Sequence, residues 1–209
     1  MGKTLLIHQY VDDVKIYETG YFEFNPGVTV LLGCNGSGKT TLLRSVENYI
    51  RRIEGLPTYW YDIRKADSVL SARASMGRGT PDYLLSNFLS EGEKIKNHLD
   101  RLVVELGWEV QSHENDPEMW IFFDSLDSGW SIDNCKEFEL FLNEFMIPTK
   151  PEGMEMYVLM AVNSYDFAKV PEWDRIDVQT AEHLPPFESY EDYSDYIMAT
   201  RKRKNDIWE

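Results

Sequence analysis

The stretch Val28-Thr29-Val30-Leu31-Leu32-Gly33-Cys34-Asn35-Gly36-Ser37-Gly38-Lys39-Thr40-Thr41 joins an apolar, β-branched run to a Gly-rich loop ending in Lys and Thr. The run suits a strand buried on both faces of a sheet. Gly33 to Thr40 fits G-x-x-x-x-G-K-[ST], a P-loop. Its glycines let backbone N–H groups turn inward around phosphates. The helix that follows points its positive dipole end at the same anion. Lys39 is placed to reach the β- and γ-phosphates, and the Thr40 hydroxyl to hold Mg²⁺. Asn35, Gly36, Ser37, Gly38 and Thr41 complete the expected nucleotide-binding set. A purely structural Gly-rich turn would leave the Lys and the paired Thr residues unexplained.

Working outward, Leu42, Leu43, Val46 and Ile50 share one face of an expected helix over Thr40 to Arg52. Before the loop, Leu5 to Ile16 reads as a strand or hairpin bending near Val11-Asp12-Asp13-Val14. Tyr21 to Phe24 reads as a short strand, and Asn25-Pro26-Gly27 as a turn. After it, strands are expected at Tyr59 to Ile63, Met119 to Phe123 and Met156 to Val162. Helices are expected at Asp82 to Phe88, Ser90 to Leu106 and Cys135 to Phe145, with a loop at Ala66 to Pro81 and a polar connector at Gln111 to Glu118. The alternation predicts an α/β protein with a mostly parallel sheet flanked by helices and an N-terminal antiparallel part.

The 209 residues suit one domain, and 43% hydrophobic residues permit a substantial core. A net charge of −15 argues against general binding of polyanions such as nucleic acid, which requires clustered Lys and Arg. The run Arg201-Lys202-Arg203-Lys204 is a local exception, read as a solvated helix end or a nucleic-acid contact. Cys34 and Cys135 match neither a metal spacing nor a disulfide framework, so a reduced, cytoplasmic setting is expected. No apolar run approaches the roughly 20 residues of a membrane span, and the first residues do not read as a signal peptide.

Asp124 ends the apolar run Met119-Trp120-Ile121-Phe122-Phe123. It is the natural second Mg²⁺ residue, since P-loop enzymes need an acid at the end of a neighbouring strand. A turn or helix-cap Asp is the alternative. Tyr10, Tyr17 and Tyr21 precede the loop and are candidates to stack on adenine, or ordinary core and surface residues. Phe187 to Tyr196 reads as a helix packing back on the domain or as a partner surface.

Gly33 to Thr41, Leu89-Ser90-Glu91-Gly92-Glu93 and Phe122-Phe123-Asp124-Ser125-Leu126-Asp127-Ser128-Gly129 together resemble the ATP-binding-cassette superfamily, in particular its soluble SMC-like and RecF-like branch. They occur in that family's order and span most of the chain. The resemblance implies a single ATPase domain over 1–209, with a signature-motif helical part at about 66–110 and a tail at about 178–209. It also implies ATP and Mg²⁺ as ligands. Ser90 and Gly92 would complete the site of a second copy, giving a head-to-tail homodimer around two ATPs. An effector protein or nuclease is a compatible partner. Ser90 with Glu93 equally fits an ordinary capping box.

Three residues or segments depart from the family's pattern. Ser125 occupies the place of the family's general-base Glu, and Ser cannot take that role at neutral pH. Asp127 is the candidate substitute. Asn163 stands where the family usually has a switch histidine; it can hydrogen-bond a phosphate or water but cannot become cationic. No Gln occurs at the family's Mg²⁺-contacting segment near Tyr61 to Ala66, leaving Asp62 or Ser68. No heptad pattern marks a coiled-coil arm. The expected activity is slow ATP hydrolysis, with a non-hydrolysing ATP switch as the alternative. A transporter's nucleotide subunit or a small-molecule kinase fits less well.

Overall fold

The computed structural model describes residues 2–11, 14–62, 91–127 and 130–208. Its centre is a five-stranded parallel sheet. In chain order the strands are β5 (Gly27–Leu32), β6 (Thr58–Asp62), β7 (Glu118–Asp124), β8 (Glu155–Ala161) and β9 (Asp174–Asp177), with spatial order β6-β7-β8-β5-β9. N-terminal to them, β1 (Lys3–Leu6) pairs antiparallel with β4 (Tyr21–Phe24), and β2 (Tyr10–Val11) with β3 (Val14–Lys15). The helices are α1 (Lys39–Tyr49), α2 (Glu91–Ser112), α3 (Ile132–Leu140), α4 (Tyr165–Ala168) and α5 (Tyr190–Trp208).

The period of two along each strand feeds two cores. Leu31, Trp120, Phe122, Tyr157 and Leu159 face Leu42, Leu43, Val46 and Ile50 of α1 and Phe22 and Phe24 of β4. Trp120 and Tyr157 are paired in register on neighbouring strands and stack 4.1 Å apart at 5°. Val30, Leu32, Ile121, Phe123, Val158 and Met160 point the other way, onto Leu99, Leu102 and Leu106 of α2 and Phe138 of α3. The apolar runs are continuous in sequence because both faces of these strands are covered.

Several boundaries differ from the sequence reading. α1 gives way to a π-helical turn, Ile50–Glu54, closed by Gly55 at φ 68. α2 runs on to Ser112, absorbing the start of the expected connector. α3 starts three residues earlier than Cys135, because the Ser131 side chain accepts from the Asn134 N–H and caps it. The tail helix spans Tyr190–Trp208, well beyond Tyr196. Strand β9 and helix α4 were not expected. The loop at 66–81, the helix at 82–88 and the residues Ser68, Leu89, Ser90, Ser128 and Gly129 lie outside the described residues.

Candidate nucleotide site

Parallel strands place their C-terminal ends on one edge, where open α/β sheets put their ligands. Four ends meet there. β5 leads into the P-loop, β7 ends at Asp124, β8 leads to Asn163, and β9 ends at Asp177. Register locks them together: Leu31 and Asp124 both pair with Ala161, and Leu32 pairs with Asp177. Asp62 pairs with Asp124 one strand further out, at the end of β6.

Gly38 sits at φ 99 as the N-cap of α1, with no side chain capping the helix and no acidic residue in its first turn. The first N–H groups and the dipole end are therefore left for an external anion. Tyr17 fixes the loop from beneath. Its hydroxyl donates to the Gly38 carbonyl at 2.9 Å, and a Cβ at Gly38 would meet its ring at 3.0 Å. Tyr17 is 1% exposed, so its ring face is committed to the core; among the three tyrosines only Tyr10 and Tyr21 are exposed.

Lys39 is buried, and its Nζ donates to the carbonyls of Gly33 (2.5 Å) and Cys34 (3.2 Å). Burial holds its pKa below the ordinary lysine value, against the attraction of Cys34, Asp127 and Asp124. Ser37 Oγ is buried and has no hydrogen-bond partner among the described residues. An uncompensated buried hydroxyl is unfavourable by about 1–3 kcal/mol, and a phosphate oxygen would satisfy it.

Thr40 Oγ1 donates to Asp124 Oδ1 at 2.9 Å, and Ser125 Oγ lies 3.3 Å from the same oxygen. This hard-oxygen set suits Mg²⁺, which takes few protein ligands and completes its octahedron with phosphate and water. Among the described residues no three His, Cys, Asp or Glu side chains gather into a metal cluster.

A family model described as an AAA domain matches residues 10–47, from β2 through the loop into α1. The crystal structure of the ADP conformation of MJ1267, an ATP-binding cassette of an ABC transporter, matches with a TM-score of 0.51 at 14% identity, covering 100% of this chain and 98% of that one. The chain has the fold of an ATP-binding cassette. No protein of curated function matches it by sequence.

Within this cassette fold the remaining candidates divide. Asp127 Oδ2 accepts the Asn163 N–H at 2.7 Å, so the two lie side by side. Burial raises the Asp127 pKa above its ordinary 3.8; the backbone N–H groups of Asn163, Asp127 and Ser164, and Lys39, act in the opposite direction. Ser125 adopts a left-handed backbone, φ 58, and its N–H donates to the Ala161 carbonyl at 2.9 Å. Gly92 lies in the first turn of α2. Cys34 and Cys135 are both free and buried.

The sequence reading missed a group of contacts from α5. Thr200 Oγ1 accepts the Cys34 N–H at 2.9 Å, Lys204 Nζ donates to the Asn35 carbonyl at 3.1 Å, and Tyr193 OH donates to the Asn163 carbonyl at 2.7 Å. Arg203 forms an ion pair with buried Asp177. Partners as far apart as 169 residues leave no local pattern to read. Among the described residues no helix is long and apolar enough to cross a membrane.

Proposed function

We propose that the chain binds Mg²⁺-ATP in the Gly33–Thr41 loop and hydrolyses it slowly. The observation that carries this reading is the cradle itself. An uncapped α1 N-terminus, the buried Lys39 ammonium and the Ser37 hydroxyl, which has no partner among the described residues, converge beside the Thr40–Asp124 pair. Thr40 and Asp124 would hold Mg²⁺, which supplies charge neutralisation on the phosphate oxygens. Lys39 exchanges its two carbonyl acceptors for phosphate oxygens and brings its charge with it. Asp127 and Asn163 flank the loop, where a carboxylate can orient and deprotonate an attacking water. Its raised pKa makes it a stronger base than an ordinary Asp.

The likeness to a transporter cassette is one of fold, and a transporter role does not follow from it. By the resemblance of Leu89 to Glu93 to a signature motif, a second copy would close the site head to tail around ATP. The dimer would then signal to an effector protein or nuclease.

The test is phosphate release from Mg²⁺-ATP, with Lys39→Ala as control. Release no faster than the control would overturn hydrolysis. Sedimentation with and without ATP tests the dimer: ATP should shift monomer to dimer, and Ser90→Arg should abolish the shift. An unchanged mass at saturating ATP would rule the sandwich out. A second reading, a non-hydrolysing ATP switch, is favoured by Ser125, whose hydroxyl points to Asp124 where a general base is otherwise expected. It predicts ATP binding without phosphate release.

A further inference from the structure

One helix grips three of the loops at the C-terminal edge of the sheet. α5 reaches the P-loop through Thr200 and Lys204, the turn after β8 through Tyr193, and the end of β9 through Arg203. Thr200 is fully buried, and its hydroxyl also donates to the Ile197 carbonyl at 2.8 Å, which fixes its orientation. The Cys34 N–H it accepts therefore has a partner set by the helix. One turn further along, Lys204 covers the loop at Gly36. A Cβ there would come within 2.6 Å of Lys204 Nζ, and Gly36 is held at φ 77.

We propose that docking of α5 and nucleotide binding are coupled. Thr200 and Lys204 are positioning residues that hold the Cys34–Gly36 backbone in its phosphate-binding shape. The inference rests on the P-loop reading above and adds a regulatory element to it. The physical reason is reciprocity. If the docked helix favours the binding-competent loop, a bound nucleotide must favour the docked helix by the same factor. The same helix holds the carbonyl of Asn163, whose N–H is held by Asp127. It thus joins the P-loop to the segment beside the candidate base. A partner that gripped or displaced α5 would change nucleotide affinity without touching the nucleotide.

Thr200→Val keeps the shape of the side chain and removes the acceptor, leaving a buried N–H unsatisfied. Calorimetric titration with Mg²⁺-ATP should show affinity weakened about tenfold. Thr200→Ser, which restores the hydroxyl, should bind within about twofold of the wild type. Hydrogen exchange on the full chain should show Mg²⁺-ATP slowing the amides of 197–204 in the wild type. Thr200→Val binding as tightly as wild type, or Thr200→Ser failing to restore affinity, would overturn the inference. So would unchanged exchange in α5 at saturating ATP. Should Thr200→Val not fold, Lys204→Met replaces it at the partly exposed rim, with a loss of about threefold expected and an unchanged affinity overturning the inference. Lys39→Ala separates the two readings. If it abolishes binding while Thr200→Val does not weaken it, only the coupling falls; if the wild type binds no ATP, both fall.

Discussion

Thr40 Oγ1 donates to Asp124 Oδ1 at 2.9 Å, linking the first turn of α1 to the end of β7 across 84 residues of sequence. Neither residue defines a metal site alone. Together they offer a hydroxyl and a carboxylate on one small patch beside the phosphate loop. Thr40→Val should abolish the Mg²⁺-dependent part of ATP affinity, about tenfold or more, while Thr40→Ser retains it. Parallel titrations with Mg²⁺ and with EDTA read this directly; equal Mg²⁺ stimulation in the Val variant would refute the assignment.

Asp127 carries a testable pH signature. Burial places its folded pKa above 3.8, so the native state holds the proton more tightly than the unfolded chain. Its contribution to stability is full below 3.8 and declines as pH rises through the raised value. Asp127→Asn removes that decline and can still accept the Asn163 N–H. Thermal melts should show the Asn variant gaining on the wild type as pH rises through this window, with a constant difference above it. ATP turnover should fall about a hundredfold or more with little change in affinity. Undiminished turnover would remove Asp127 from catalysis.

Tyr17 props the loop from below. Tyr17→Phe loses the hydroxyl that meets the Gly38 carbonyl and should lower stability by about 1 kcal/mol. Tyr17→Ala also loses the ring beneath Gly38 and should cost about 3–5 kcal/mol. Chemical denaturation measures both. A Phe variant as damaged as the Ala variant would show that the hydroxyl, not the ring, dominates.

Ser125 sits at φ 58, a conformation costing a non-glycine residue about 1–2 kcal/mol. Ser125→Gly relieves this and gives up only a 3.3 Å hydroxyl contact. Unfolding free energy should stay level or rise by about 1 kcal/mol, with turnover unchanged. A large loss of turnover in the Gly variant would make the Ser125 hydroxyl part of the chemistry.

The phosphate loop was legible because every requirement is local. A buried β-branched strand, glycines for the turn, a Lys and a Thr fall within fourteen consecutive residues from Val28 to Thr41. Strand β7 and its terminal Asp124 were legible for the same reason. Strand β9 was not, because Asp174-Arg175-Ile176-Asp177 is charged at three of four positions and shows no apolar run. It is a strand because its backbone pairs with β5 from Thr29 to Leu32, while its polar side chains find partners off the sheet. Arg175 donates to the carbonyls of Val170 and Leu184, and Asp177 accepts the Gln179 N–H and pairs with Arg203. The basic run at 201–204 divides: Arg201 and Lys202 are exposed near the end of α5, as a solvated helix end requires, while Arg203 and Lys204 are engaged at the site.

The sequence by itself determined the P-loop, the apolar strands and an α/β alternation, since these follow from residue size, branching and short-range backbone freedom. The tertiary structure decided which distant groups meet at the loop. It set β8 between β5 and β7, brought Asp124 to Thr40, turned Tyr17 into the core and laid α5 across Cys34 and Asn35. Those contacts depend on how two apolar faces of one sheet are covered, and on where buried polar groups find partners. Both are properties of the packed chain and not of any window along it.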